Sequence, residues 1–240
     1  MNRGYRVTEV LKIFIGFDPR ESVAWHTLAN SIFRKSSKPV TICPLNLENL
    51  NAVYKRPFDS RQSNDFSFSR FLVPYLSEFK GLALYMDCDM LIRTDISELF
   101  EYCSKNSDKA VHVVQHDYKT KVSKKYLNNT QQNYPRKNWS SIIMWNCEHP
   151  SNREVTSEFV NTADAAQLHR FLWLRDQEIG SLSVEWNWLV DEYVVPSDSV
   201  KNLHWTLGGP YFNEYADVDG ADEWRAARDL TFYCMQIEDN

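Results

Sequence analysis

Asp87 and Asp89 flank a single residue in Tyr85-Met86-Asp87-Cys88-Asp89 and follow the apolar run Leu82-Ala83-Leu84-Tyr85-Met86. In extended backbone, residues two apart point to the same side, so both carboxylates can converge on one point while Cys88 turns away. Two hard oxygen donors at that spacing suit Mg²⁺ or Mn²⁺. Their place adds weight, because open α/β sheets bind ligands at the carboxyl ends of their strands. The plainer alternative is a pair of aspartates serving a turn or a helix cap. His204, in Leu203-His204-Trp205-Thr206-Leu207-Gly208-Gly209-Pro210, is the natural third ligand. A neutral imidazole can offer one ring nitrogen to a metal, and the glycines after it can bring backbone N–H groups near phosphate. A satisfied core or surface histidine is the alternative for that residue.

Three rival chemistries can be weighed on the same residues. A haloacid-dehalogenase-type phosphatase also sets an Asp-x-Asp after an apolar strand and uses the first Asp as nucleophile. That motif opens its domain and has Thr or Val two residues past the second Asp, whereas this pair follows a third or fourth strand and position 91 is Leu. A nucleotidyltransferase needs a Gly-rich phosphate loop after the first strand, and Phe17-Asp18-Pro19-Arg20 is not one. A non-catalytic carbohydrate-binding module needs aromatic faces, which the 8 Trp and 12 Tyr supply, but it does not need Asp87, Asp89 and His204 together.

The elements that must position these groups follow from pattern. Lys12 to Asp18 is an apolar run bounded by Gly16 and Pro19, a buried strand; Pro19 to Lys35 has helical spacing at Val23, Leu28, Ile32 and Phe33, with Ser22 available near its start. Val40 to Leu45 is a second strand, Asn46 to Ser63 a polar loop, and Phe68 to Leu76 a helix kinked or ended by Pro74. Strands at Leu82–Met86, Ala110–Val114 and Ser141–Trp145 and helices at Ile96–Tyr102, Arg153–Asn161 and Ala165–Leu174 complete the alternation. Strand–helix alternation over the first 115 or so residues predicts an α/β sheet with short crossovers in one domain. Tyr118 to Lys137, with five Lys and one Arg, has no period; it is a solvated loop, a lid over a ligand, or a dock for a phosphate-bearing acceptor.

Composition bounds the rest. The 240 residues are 43% hydrophobic and 25% charged, with 27 Lys plus Arg against 32 Asp plus Glu. Those proportions suit an ordinary globular protein. A net charge of −5 without a basic block excludes wrapping of nucleic acid. No apolar run reaches the roughly 18 to 20 residues of a membrane span, and Met1 to Lys12 lacks the apolar core of a signal peptide, so a cytoplasmic protein is expected. Five cysteines, none in C-x-x-C spacing, read as reduced and mostly buried.

Taken together and in order, these segments resemble a GT-A-type nucleotide-sugar glycosyltransferase, closest to glycosyltransferase family eight, the glycogenin and bacterial galactosyltransferase group. Ile13 to Asp18 resembles that fold's first strand, Phe68 to Pro74 its Arg-bearing helix, and Tyr85 to Asp89 its metal-binding strand end. Ile92 to Phe100 resembles its D-I-x-x-L-F helix, Ser141 to Asn146 its later apolar strand, and His204 to Gly209 its C-terminal His-and-Gly motif. Asp176-Gln177-Glu178-Ile179 with Glu185-Trp186-Asn187 resembles the pair of motifs that line the donor sugar.

The resemblance implies a single GT-A (Rossmann-like) domain over 1–240 with a mixed, mostly parallel central sheet flanked by helices. Its nucleotide-binding part spans about 11–116 and its acceptor and donor-sugar part about 138–215. It implies that Asp87, Asp89 and His204 hold Mn²⁺ or Mg²⁺, and that Gly16, Phe17, Asp18, Arg70 and Asp87 bind the nucleotide. Asp176 and Gln177 take the catalytic place, while Trp186, Asn187 and Lys137 meet sugar or acceptor. The partners are a UDP-sugar-like donor and a saccharide, lipid or protein acceptor, with retention at the anomeric carbon. Two departures stand out: Pro210-Tyr211-Phe212 replaces the family's diphosphate-holding Lys, for which Lys137 or Arg20 could substitute, and Asn138-Trp139-Ser140-Ser141 replaces an Asn-x-Gly.

Overall fold

The computed structural model describes residues 9–57, 62, 64–117, 119–120, 124, 126–128, 135–193 and 198–232. The chain opens with β1 (Leu11–Gly16), a tight turn over Pro19–Glu21 and α1 (Ser22–Lys35). The cap of that turn is Asp18, whose side chain accepts from the Arg20 backbone N–H at 2.9 Å, and not Ser22, which is already helical. Asp outcompetes Ser here because its carboxylate also holds the Arg20 guanidinium. The buried stripe of α1 runs through Ala24, Leu28 and Ile32, while Phe33 lies on the exposed side.

After β2 (Val40–Leu45), residues 66–76 form α2 (Phe66–Ser69), a tight turn over Arg70–Leu72 and α3 (Val73–Leu76). The expected single helix over Phe68–Leu76 is therefore three short pieces. Pro74 stands in the first turn of α3, where its missing N–H costs nothing. Next come β3 (Leu82–Met86), β4 (Met90–Ile92), α4 (Ser97–Lys105), β5 (Val111–Val114) and β6 (Ile142–Asn146). The helix expected over Ile96–Tyr102 runs over Ser97–Lys105, its first turn closed by Asp95 accepting from Ser97 N. Of the basic stretch, Lys121 and Lys125 lie outside the described residues, so the lid and docking alternatives for it are not addressed by the fold.

The chain continues with α5 (Ser157–Thr162), α6 (Ala165–His169), β7 (Ile179–Leu182), β8 (Trp188–Leu189), β9 (Asn202–His204) and α7 (Ala221–Phe232). The helices expected over Arg153–Asn161 and Ala165–Leu174 are both shorter. The first is preceded by a separate turn over Pro150–Glu154, and α6 cannot continue because Phe171 has φ 54, outside the helical region.

Six strands form the central sheet in the order β2-β1-β3-β6-β5-β7. All are parallel except β6, which runs antiparallel to both β3 and β5. β3 sits centrally and is buried on both faces, which is why its sequence is uninterrupted apolar rather than alternating. β2 lies at the edge, where Pro44 removes no essential ladder bond. A second, three-stranded sheet, β4-β9-β8, was not anticipated from sequence, because its strands are only two or three residues long.

Gly16 ends β1 against a buried ring. A Cβ there would stand 2.4 Å from Phe66 Cγ, and Phe66 is itself sealed in the core. Gly16→Ala should therefore destabilise the fold by ~1–3 kcal/mol, the usual cost of overpacking, read from urea unfolding. An unchanged midpoint would mean that the ring can yield.

Candidate metal centre

The strand pairings account for the convergence of the site. Asp87 leaves the end of β3, and its N–H bonds Ser141 O at 2.9 Å, holding it level with the start of β6. β4 then pairs antiparallel with β9 so that Met90 faces His204, and Trp205 N bonds Asp89 O at 2.9 Å. This ladder carries His204 to the residue next to Asp89 across more than a hundred positions of sequence. One ligand atom from each of Asp87, Asp89 and His204 lies within 4.8 Å of the others, and all three side chains are buried.

Each group is held from behind. Asp87 Oδ1 accepts from Tyr85 Oη at 2.6 Å and pairs with Arg70 Nη1 at 3.0 Å. Burial pushes the Asp87 carboxyl up, against the pull of the Arg70 guanidinium. Arg70 also donates to Phe66 O and Ser140 O, at 3.2 and 2.8 Å. The Arg expected at the nucleotide is thus a buried clamp on a metal-ligand candidate. A phosphatase would need Asp87 as an accessible nucleophile, and its bonds to Tyr85 and Arg70 do not suit that role.

His204 Nδ1 lies 2.8 Å from Asn187 Oδ1, and its Nε2 faces Asp89 Oδ1 at 3.3 Å. That Asp89 oxygen is buried with no hydrogen-bond partner. A buried carboxylate oxygen left unpaired beside an imidazole nitrogen and a second carboxylate is costly unless a cation joins them. The donor set O, O, N fits a borderline-hard divalent ion such as Mn²⁺ or Mg²⁺.

The surroundings are acidic. Asp18 leaves the end of β1 on the same sheet edge. Burial would raise it, yet its bonds with Arg20 and the Asp65 N–H hold it below the usual carboxylate range. Glu21 was not singled out in the sequence, since a lone Glu in a helix start gives no signal. It is buried, and Tyr211 Oη donates to it at 2.6 Å. Burial, with the Asp89 charge adding to it, pushes Glu21 up to about 8.

A folded-state pKa raised from 4.5 makes the contribution of Glu21 to stability full below about pH 4.5 and lost as pH climbs through about 8. Glu21→Gln should flatten that decline and stabilise the protein at pH 8, as followed by thermal melts across pH 4.5 to 9. An unaltered slope in the variant would show that Glu21 does not hold its proton.

Other predicted site residues are placed elsewhere. Asp176 and Gln177 are exposed on a turn that enters the start of β7, with Glu178 O bonded to Ala110 N ahead of β5. β3 begins at that edge of the sheet, whereas the metal cluster stands where β3 ends. Asp176 pairs with Arg136 at 2.6 Å. Trp186 is packed into the core under Lys201, whose Nζ lies 5.0 Å from its ring centroid, so it offers no open stacking face. Asn187 is fully buried and holds His204 instead of meeting a sugar directly. Lys137 is buried on the turn before β6, and its neighbour Asn138 reaches Thr206 Oγ1 at 3.4 Å. Gly208 has φ 149, and a Cβ there would lie 2.5 Å from the Tyr215 ring, so ring packing already requires glycine.

No protein-family model matches the chain. It is 43% identical over 229 residues to Protein CDI of Arabidopsis thaliana, covering 93% of this chain and 88% of that protein. Among solved structures it is similar to the glycosyltransferase GlyE of Streptococcus pneumoniae TIGR4, with TM-score 0.61 and 13% identity over 92% of this chain and 60% of that one. The bifunctional glycosyltransferase WbbM gives TM-score 0.57 and 18% identity over 95% and 50%. The galactosyltransferase LgtC, solved with donor and acceptor sugar analogues, gives 0.57 and 12% over 93% and 97%. The chain thus spans about half of WbbM and three-fifths of GlyE but nearly all of LgtC. At these identities the likeness establishes the GT-A fold. Among the described residues no helix is long and apolar enough to cross a membrane.

Proposed function

We propose, from the premise that this chain belongs to the same family as Protein CDI of Arabidopsis thaliana and has the GT-A glycosyltransferase fold, that it transfers a sugar from a nucleotide-diphosphate sugar to a glycan-type acceptor. The observation that carries it is the convergence of Asp87, Asp89 and His204 at the end of β3, with Asp89 Oδ1 buried and unpartnered. Fold alone does not fix function, and the site must supply the warrant.

Asp89 Oδ1 and His204 Nε2 hold a divalent ion, Mn²⁺ or Mg²⁺, with Asp87 as the third ligand. Bound there, the ion offsets negative charge on the departing nucleoside diphosphate. Gly16, Phe17 and Asp18, level with Asp87 on the sheet edge, form the floor for base and ribose. Asp18 fixes the Arg20 guanidinium at that edge, and Arg20 with Lys137 supplies the positive charge that the chain lacks at Pro210-Tyr211-Phe212. Asp176 and Gln177 enter no step. A UDP-sugar donor, a saccharide, lipid or protein acceptor and retention complete the proposal, on the resemblance to glycosyltransferase family eight.

Calorimetric titration with UDP, GDP and their sugars, in Mn²⁺ and in EDTA, tests it. The expected result is binding of one nucleotide class only with metal, followed by a product whose NMR shows the donor's anomeric configuration. A folded sample that binds no nucleotide under either condition would remove the transferase proposal, and an inverted product would remove retention alone.

A further inference from the structure

A run of hydrogen bonds behind His204 has its proton directions fixed from one end. Asn138, with φ 60, presents its carbonyl to Ser141 Oγ at 2.7 Å. A carbonyl only accepts, so the single hydroxyl proton of Ser141 is committed there and its oxygen can only accept in turn. The atom that meets it at 2.8 Å belongs to the Asn187 amide, which must therefore turn its NH₂ toward Ser141. The second amide proton meets His116 Nε2 at 2.9 Å, and His116 Nδ1 reaches Tyr193 Oη at 2.6 Å. Burial pushes His116 down to about 3, so it stays neutral and accepts through Nε2 while donating through Nδ1. Two acceptors thus face the nitrogen of Asn187.

Its oxygen is left for His204 Nδ1 at 2.8 Å, and an oxygen there requires Nδ1 to carry the ring proton. A neutral ring with Nδ1–H has its lone pair on Nε2, the nitrogen that faces Asp89 Oδ1. The reversed amide would set its oxygen against Ser141 Oγ, two acceptors in contact. Asn187, Ser141 and His204 are all buried, so water does not relieve that conflict.

We infer that Asn187, oriented by Ser141 and His116, is a positioning residue that locks His204 in its Nδ1–H tautomer and keeps Nε2 ready as a metal ligand. This rests on the proposed metal site and adds to it the residues that prepare one ligand. The orienting groups are the Asn138 carbonyl, Ser141 Oγ and the His116 ring, from the turn before β6, the start of β6 and the end of β5.

The test reads tautomer and metal separately. Two-bond ¹H–¹⁵N spectra of the EDTA-treated protein, recorded above the pH at which the ring is seen to lose its second proton, should show His204 with Nδ1 protonated and Nε2 bare. Asn187→Leu should mix or reverse that pattern and raise the Mn²⁺ Kd by about 10- to 100-fold, the usual effect of losing a partner behind a metal-ligating His. Asn187→Asp keeps an acceptor for Nδ1–H and should leave that tautomer in place, while its second oxygen, set against Ser141 Oγ and His116 Nε2, lowers the stability of the fold. If Asn187→Leu does not fold, Ser141→Ala takes its place, with a partial shift of the tautomer expected. His204 protonated at Nε2 in the parent protein, or unchanged tautomer and Mn²⁺ affinity in folded Asn187→Leu, would overturn the inference. A parent protein that shows the Nδ1–H pattern but binds no Mn²⁺ would remove the metal site while upholding the tautomer lock.

Discussion

Asp89→Asn should raise the thermal stability of the metal-free protein while weakening the proposed metal-dependent nucleotide binding and slowing the proposed transfer. On the proposed function the two effects have opposite signs, because the cation that Asp89 would hold is what satisfies its carboxylate. In the folded chain its Oδ1 is buried without a partner, 3.3 Å from His204 Nε2 and within the same cluster as the Asp87 carboxylate. Asparagine removes one negative charge from that cluster and can turn an N–H toward the His204 nitrogen. Relieving one unsatisfied buried group is worth ~1 kcal/mol, which for a chain of this length moves Tm up by about 2–4 °C. The same change deletes an anionic ligand. A bound divalent ion supplies several kcal/mol of charge stabilisation, so the rate should fall on the order of 10³-fold. Melts in EDTA and titration of nucleotide with Mn²⁺ read the two halves. A destabilised variant that still binds Mn²⁺ normally would show that Asp89 serves the fold and not an ion.

Arg70→Met should unfold the protein more readily than any surface change, and Arg70→Lys should restore little. Arg70 is buried and spans three elements, donating to Phe66 O in α2, to Ser140 O before β6 and to Asp87 at the end of β3. Its guanidinium also lies 5.1 Å from the Tyr85 ring centroid. Without it, the Asp87 carboxylate is a buried charge whose remaining donor is the Tyr85 hydroxyl. Breaking one side of a buried ion pair costs about 3–5 kcal/mol. Lysine provides a point charge but no planar fork for three acceptors in fixed directions. Urea unfolding of Arg70→Met, Asp87→Asn and the double variant should show the double less destabilised than the sum of the singles, since the pair interacts. Normal stability of Arg70→Met with weakened nucleotide binding would return Arg70 to a direct ligand role.

What was legible in the sequence followed local chemistry. The apolar runs Lys12–Asp18 and Leu82–Met86 marked buried strands because central parallel strands are covered on both faces. Asp87 and Asp89 stood out because two carboxylates one residue apart end an apolar strand and can face one point, and His204 because glycines follow it. The missed features depended on pairing. β4, β8 and β9 are too short to show a period, yet their register sets His204 opposite Met90 and beside Asp89.

Roles were harder to read than locations. Arg70, expected at the nucleotide, and Asn187, expected at the sugar or acceptor, have side chains that point inward, one to Asp87 and the other to His204. Sequence spacing cannot say whether a polar side chain faces a ligand or the group that holds the ligand. Asp176 and Gln177 formed a persuasive motif as a string, and the direction of β7 puts their turn at the edge where β3 begins. Sequence by itself determined the α/β alternation and three metal-ligand candidates, Asp87, Asp89 and His204. Only the tertiary structure decided which distant residues back them, because a hydrogen bond between Ser141 and Asn187 is fixed by strand register and burial rather than by neighbours along the chain.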